Sequence, residues 1–396
     1  MHQVMKGIRV IEVAQYVFVP VASSVLAEWG ADVIKVEPPL TGDAYRGLKR
    51  TGSLKTDGAT NYAFEHANRG KRSIGLDLMT ERGRSVLGQL LATADVLITN
   101  LLPDSRTRLG LDLDRVRKDN PQIIYARGTA LGERGSEHNR GGYDHATYWA
   151  RSGAQYGATP KGASRPSPMP SGAFGDTTAG LALAGGIAAA LLSRERTGEA
   201  TTVDLSLLGH GLWSMASSIA GALVHDEATD PLPRVPAFNP LAGTYRTQDG
   251  RWIVLGMLQG FHQWAEFTRC IERPDWALDP RFSTEATFGE HLQDVERALD
   301  ELFGAAPLSH WRTVLSNLDA VWEVLQDPLE AANDAQTRSN GYINPRRLVA
   351  SPVQFGEQPA HAGSAPEAGQ QTEEILLSLG FSWDEIADLK RVGVTS

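Results

Sequence analysis

The chain has 396 residues, 41% hydrophobic and 21% charged, the balance of a folded globular protein rather than a disordered one. Lys and Arg total 38 against 47 Asp and Glu, a net charge of −9, which argues against nucleic acid or an anionic membrane surface as the main partner. A single cysteine, Cys270, excludes a disulfide framework and a cysteine-based metal site, and it fits a reducing, cytoplasmic setting.

At about 150 residues per domain, the length predicts two to three domains. Met1 to Lys6 lead straight into a strand-like segment, so no secretory leader is expected. Nor is there an unbroken apolar run of about 18 residues, the length of a membrane span.

In chain order, Ile8–Val13 reads as a strand, Val21–Trp29 as a helix stopped by Gly30, and Ala31–Val36 as a second buried strand before Pro38 and Pro39. A charged, glycine-containing segment fills 40–72. Ser73–Leu78 is a short strand, Glu81–Ala92 an amphipathic helix, Asp95–Thr99 a strand, Asp114–Asn120 a short helix and Ile123–Arg127 a further strand. Strands alternating with helices at this spacing predict a parallel, doubly wound sheet. The stretch 131–175 lacks periodicity, and a loop of that length is usually functional or mobile.

Residues 177–193 (TTAGLALAGGIAAALLS) are small and apolar nearly all round, which describes a buried helix packed closely on its neighbours. Val203–Leu208 reads as a strand and His210–Leu223 as an apolar helix. A proline-rich linker is expected over 225–242, with Pro231, Pro233, Pro236 and Pro240. Gly243–Thr247, the Asp249-Gly250 turn and Trp252–Leu255 read as a hairpin, followed by helices near 261–271, 289–304 and 308–317, a smaller α+β domain. Helices over Thr372–Leu379 and Ser382–Val392 close the chain. The expected division is 1–224, 225–330 and a C-terminal segment, 331–396, returning to the large domain.

Three segments carry candidate chemistry. Gly172–Asp176 (GAFGD) opens the small-residue helix, with Asp176 where an N-cap belongs. A helix N-terminus favours the anion, and at an ordinary pKa near 3.9 the carboxylate is ready to attack a thioester without a base. The neighbouring glycines would let amide groups approach the developing oxyanion. Ala67–Ser73 (ANRGKRS), with Arg46, Lys49 and Arg50, reads either as a solvated loop or as an anchor for nucleotide phosphates. Gly141–Gly153 (GGYDHATYWARSG) holds Tyr143, Asp144, His145, Tyr148 and Trp149; His145 is a candidate base, and the aromatics could equally pin the loop. Ile8–Val13 is not followed by G-x-G-x-x-G, and GxxxxGK[ST], HExxH and GxSxG are all missing. A usual dinucleotide site, a P-loop, a zincin and a nucleophile-elbow hydrolase are therefore unsupported.

These segments resemble the class III CoA-transferases, the CaiB/BaiF family, which includes formyl-CoA transferase and the α-methylacyl-CoA racemases. The resembling pieces are KGIRVIEVAQYVFVP (6–20), EWGADVIKVEPP…GD (28–43), NRGKRSIGLDL (68–78), ADVLITNLLPDSRTRLGL (94–111), the 141–153 loop and GAFGDTTAGLALAGGIAAALLSRERTGEATTVDLSL (172–207). GTYRTQDGRWIVLG (243–256) looks like the family's smaller domain.

The resemblance implies a Rossmann-like large domain, a smaller α+β domain and an interlocked homodimer. It implies Asp176 as nucleophile, CoA contacts at Val17, Phe18, Leu76, Asn100, Leu101, Arg108, Leu109 and Tyr143, and an acyl-CoA and a carboxylic acid as substrates, with no tightly bound cofactor. The sequence departs from formyl-CoA transferase at Val17, at Met79 and in GMLQG (256–260). It departs from the racemases at Tyr143 and Gln259, where those enzymes place ionisable bases, so CoA transfer is preferred over racemisation. A racemase using His145 and a non-catalytic acyl-CoA-binding protein remain the alternatives. Trp149, Trp213, Met215 and Phe238 are candidate pocket walls or core.

Overall fold

The computed structural model describes residues 3–51, 54–55, 61–231, 233, 238–360 and 363–396. They form two compact units: Met1–Tyr156, Pro166–Thr229 and Ala335–Ser396 make one, and Gly157–Arg165 with Asp230–Asp334 the other. Pro236, part of the expected linker, lies outside the described residues.

The first unit is built on β1 (Arg9–Val13) and β2 (Asp32–Glu37), joined by α1 (Phe18–Glu28). The helix starts three residues before the predicted Val21, because Pro20 falls in its first turn, where an absent N–H costs no intrahelical bond. The charged segment 40–72 holds a two-residue ladder, β3 (Arg50–Thr51) with β4 (Leu54–Lys55), and the unpredicted helix α2 (Tyr62–Asn68). Then follow β5 (Arg72–Gly75), α3 (Glu81–Ala92), β6 (Val96–Thr99), α4 (Pro103–Leu109), α5 (Leu113–Asp119) and β7 (Ile124–Thr129).

Within the long stretch read as a loop, a π-helical turn spans His145–Ala150 and α6 spans Ala154–Ala158. α7 (Phe174–Thr197) runs 24 residues, longer than the apolar core of its sequence, and Gly198 ends it in the left-handed conformation. After β8 (Thr202–Ser206), the apolar run predicted as one helix is two, α8 (Leu207–Ser214) and α9 (Ala216–His225), bent by 75° at Met215.

The six strands order as β5-β2-β1-β6-β7-β8, all parallel, which confirms the α/β expectation. One face of this sheet is covered by α1 and α7, the other by α3, α5 and the C-terminal helices, giving two apolar layers. α7 is long and apolar enough to cross a membrane by length and composition, and here it packs along α1. Gly180 permits the approach: a Cβ there would lie 2.7 Å from Val21 Cγ1 and 2.8 Å from the Phe18 carbonyl. The C-terminal segment is bonded into this unit, with Ser351 N–H on Glu28 Oε2 at 3.0 Å and a bridge between Leu76 and Thr395.

The second unit carries a separate antiparallel sheet, β9 (Thr244–Arg246), β10 (Trp252–Leu255) and β11 (Trp322–Val324), in the order β11-β10-β9. The Asp249-Gly250 hairpin is present, with Gly250 at φ 78°. Helices over 261–270, 292–304 and 308–315 pack Trp264, Phe267, Phe303 and Trp311 into its core.

Candidate active site

Strand order reverses between β1 and β6, so the segments leaving their carboxyl ends run to opposite sides and leave a crevice, the usual ligand site of an open parallel sheet. Asn100 ties the two strand exits together. Its Oδ1 accepts the Gln15 N–H at 3.1 Å and its Nδ2 donates to the Gln15 carbonyl at 2.7 Å. Tyr16 follows with φ 68°, a conformation that non-glycine residues adopt at some cost. It is held there by its N–H to Asp43 Oδ1 at 3.2 Å and by an edge-on ring contact with Tyr143 at 5.7 Å.

A cleft of about 520 Å³ opens at this point. Its floor is Gln15, Tyr16, Phe18, Asn100 and Leu101, its far wall Gly128–Ala130, and its roof the 138–146 loop with Tyr143 and His145. The first turn of α7 brings in Asp176. A second, apolar cavity of about 240 Å³ shares Gln15 and Leu101 with the cleft and extends to Leu76, Leu78, Met79 and Leu109.

Asp176 is not the N-cap. That position is Ala173, at φ 60° and without a side-chain cap, which puts Asp176 at the third helical position. Its carboxyl is half-buried by surface yet surrounded by protein. Burial, reinforced by the nearby Asp144 carboxylate, pushes its pKa up to about 8, so the ordinary value assumed from sequence does not carry over. Burial raises Asp144 as well, against the amides of His145, Asp176 and Gly175, which favour its anion. Gly175 serves packing: a Cβ there would sit 2.5 Å from the Tyr148 ring.

Among the residues singled out from the sequence, Asp176, Phe18, Asn100, Leu101 and Tyr143 line the cleft, and Leu76, Leu101 and Leu109 line the second cavity. The Val17 side chain is buried in the core. Arg108 is exposed on α4, beside Ser105 at 3.3 Å, and lines neither cavity.

The basic ANRGKRS segment is neither a solvated loop nor a phosphate anchor, because carboxylates inside the fold consume its cations. Lys71 is buried on Glu12 at 2.6 Å, Arg69 on Glu28 at 2.6 Å, and Arg72 pairs with Asp32 at 2.7 Å. Tyr148 and Trp149 pin their loop from the inside. Trp213 and Phe238 are neither core nor cleft wall; both are exposed.

Gln15, Tyr16, His138 and Arg140 line the cleft without having been selected. The first two follow a strand end at the reversal point and could have been found from the βαβ pattern. The other two come from a segment with no periodicity to read.

A crevice at the strand-order reversal, an acid at the start of a buried small-residue helix and an adjoining apolar cavity define a doubly wound α/β enzyme. The chain belongs to CoA-transferase family III, whose profile matches residues 5–372, and it is an enzyme of that class. It is 31% identical to the (R)-2-hydroxy-4-methylpentanoate CoA-transferase of Clostridioides difficile, over 98% of each chain. It is 28% identical to the cinnamoyl-CoA:phenyllactate CoA-transferase of Clostridium sporogenes, over 97% of this chain and 95% of that one. The crystal structure of a CaiB/BaiF family protein from Brucella suis superposes with a TM-score of 0.82 at 26% identity, over 95% of this chain and 99% of the other.

Proposed function

We propose that this enzyme moves CoA from an acyl-CoA donor to a carboxylic acid through an Asp176 thioester. The Asp176 carboxylate attacks the thioester carbonyl, the C–S bond breaks, and CoA leaves as thiolate with a mixed anhydride behind it. The thiolate then attacks Asp176 Cγ and expels the donor acid. The acceptor carboxylate attacks the same carbon, releasing the thiolate to a new anhydride. Finally the thiolate takes the acceptor acyl group and Asp176 returns as carboxylate. Each step exchanges one acyl derivative for another of similar energy, so no ATP is consumed.

The observation that carries this reading is a single acid among the described lining residues, Asp176, in a cleft that continues through Gln15 and Leu101 into an apolar cavity. The nucleotide end of CoA fits the cavity near Leu76 and Leu109, the pantetheine arm crosses Asn100 and Leu101, and the thioester reaches Asp176 below Tyr143. CoA enters as substrate rather than as a resident cofactor. Both named bacterial relatives act on 2-hydroxy acids with a branched or aromatic side chain, and this cleft has apolar walls at Phe18, Leu102 and Leu207. We therefore propose an apolar carboxylic acid, 2-hydroxy acids first, as acceptor.

A homodimer is part of the proposal. α9 is apolar yet buries no residue, and Trp213 and Leu223 stand 77% and 79% exposed. A second copy of the chain would cover that face.

The test is a screen of acyl-CoA donors against acids, read by mass spectrometry. Protein mixed with a working donor should gain a hydroxylamine-sensitive CoA adduct on the peptide holding Asp176. Turnover without an adduct there, or deuterium uptake at the donor α-carbon without any acid, would overturn the scheme.

A further inference from the structure

A carboxylic acid substrate has to enter a cleft that already holds an acid, in a chain of net charge −9. Arg140 is the one Lys or Arg among the described residues that line the cleft or the adjoining cavity. Arg106 of α4 and Arg127 of β7 are engaged elsewhere: Arg106 pairs with Glu133 at 2.7 Å, and Arg127 with Glu133 at 3.0 Å and with Asp204.

Arg140 sits on a stretch of the roof that is anchored on both sides. One residue before it, Asn139 grips the first turn of α4: its Nδ2 donates to Asp104 Oδ2 at 2.5 Å and its Oδ1 accepts the Asp104 N–H at 3.4 Å. Two residues after it, Gly142 lies so close to its neighbours that a Cβ would stand 2.8 Å from Thr147 Cγ2 and 3.0 Å from Ala130 Cβ. The Arg140 N–H closes a turn on the Glu137 carbonyl at 2.9 Å.

The guanidinium is only partly engaged. Its Nη1 meets Glu137 Oε1 at 2.5 Å, but Glu137 Oε2 also serves Arg151 at 2.5 Å, so two cations share one carboxylate and one positive charge is left over. The Nε and Nη2 groups of Arg140 make no bond among the described residues. That pair of donors is the edge with which Arg281 holds both oxygens of Asp279, at 3.1 and 2.7 Å. His138, the other cleft residue of this turn, does not offer the same. Its Nδ1 lies 3.0 Å from the Gly135 carbonyl, which can only accept, so the neutral ring has its one N–H engaged there.

We propose that Arg140 recognises the carboxylate of the acid substrate, through its Nε and Nη2 edge, in the cleft that Asp176 also lines. Two adjacent donors on a permanent cation match the two oxygens of a carboxylate, and charge-assisted pairs of this kind are the strong ones. The inference rests on the CoA-transfer reading and deepens it. A donor thioester is neutral at its acyl end, so Arg140 acts on the acid that enters and on the donor acid that leaves, not on the thioester.

The test pairs isotope-labelled (R)-2-hydroxy-4-methylpentanoate, the acid in the name of the Clostridioides difficile relative, with its own CoA thioester. Any pair returned by the donor–acid screen serves equally. Initial rates of label exchange are varied in each substrate. Arg140→Met removes the charge and Arg140→Lys keeps it without the fork; the side chain is 66% exposed, so neither disturbs a core. In Arg140→Met, kcat/KM for the acid should fall at least about tenfold, the weight of a charge-assisted hydrogen bond. For the thioester, kcat/KM and the yield of Asp176 adduct should stay within about twofold. Arg140→Lys should recover part of the loss. A loss that falls on the thioester instead assigns Arg140 to the phosphates of CoA and overturns the inference, as do unchanged kinetics for both substrates. A missing adduct together with the tenfold loss for the acid overturns the nucleophile and leaves Arg140 standing. No exchange by the wild type with any pair overturns the transfer reading and this inference with it.

Discussion

Lys35 sits at the centre of a buried charge network that supports the cleft floor. Its Nζ lies 2.6 Å from Glu12 Oε1, 2.7 Å from Asp43 Oδ2 and 2.9 Å from the Ala14 carbonyl, with no side-chain exposure at Lys35 or Glu12. Burial alone would depress this lysine, but Glu12, Asp43 and Glu37 hold it well above its ordinary value. Lys35→Met preserves volume and removes the cation, so the packing change is small. Glu12 keeps Lys71 at 2.6 Å and the hydroxyl of Ser23. Asp43 keeps the Tyr16 and Tyr45 amides, at 3.2 and 2.9 Å, but loses its cation.

An uncompensated buried carboxylate costs about 3–5 kcal/mol, against a total stability of about 5–15 kcal/mol. Denaturant unfolding of the full chain, followed by hydrogen exchange at β1 and β2 so that the second unit's own transition is separated, should show a loss of about 4 kcal/mol. A loss under about 1 kcal/mol would overturn this account.

Asp176→Asn should abolish turnover while stabilising the fold. A folded-state value of about 8 against 3.8 unfolded means stability is lost progressively as pH rises between the two. The melting temperature of the variant should therefore exceed that of the wild type by a margin that widens from pH 5 to pH 8 and then levels. Leu101→Trp, at the junction of the two cavities, should raise KM for acyl-CoA at least about tenfold, which is 1.4 kcal/mol of binding, and leave the adduct's hydroxylamine sensitivity unchanged in steady-state and trapping assays. Light scattering should give twice the chain mass for the wild type, and Trp213→Glu with Leu223→Glu should halve it.

Much of the fold is written in local pattern. The alternation of buried strands with helices from Ile8 to Arg127, the turn at Asp249-Gly250 and the small-residue run after Asp176 each report on a period or a turn that depends on neighbours in the chain. The misreadings also have local causes. α2 lay inside a charged segment, and α8 and α9 read as one helix because a continuous apolar run carries no mark of a 75° bend.

The acid at the head of α7 and the βαβ order can be read from neighbouring residues alone. What the charged residues do is set by the folded arrangement. The cations of 69–72 belong to Glu28, Glu12 and Asp32, and burial near Asp144 lifts the Asp176 carboxyl well above its ordinary value. The reason is physical. Hydrophobic period is a property of adjacent residues, whereas proton affinity and ion pairing depend on burial and on which distant groups the fold places within a few ångströms.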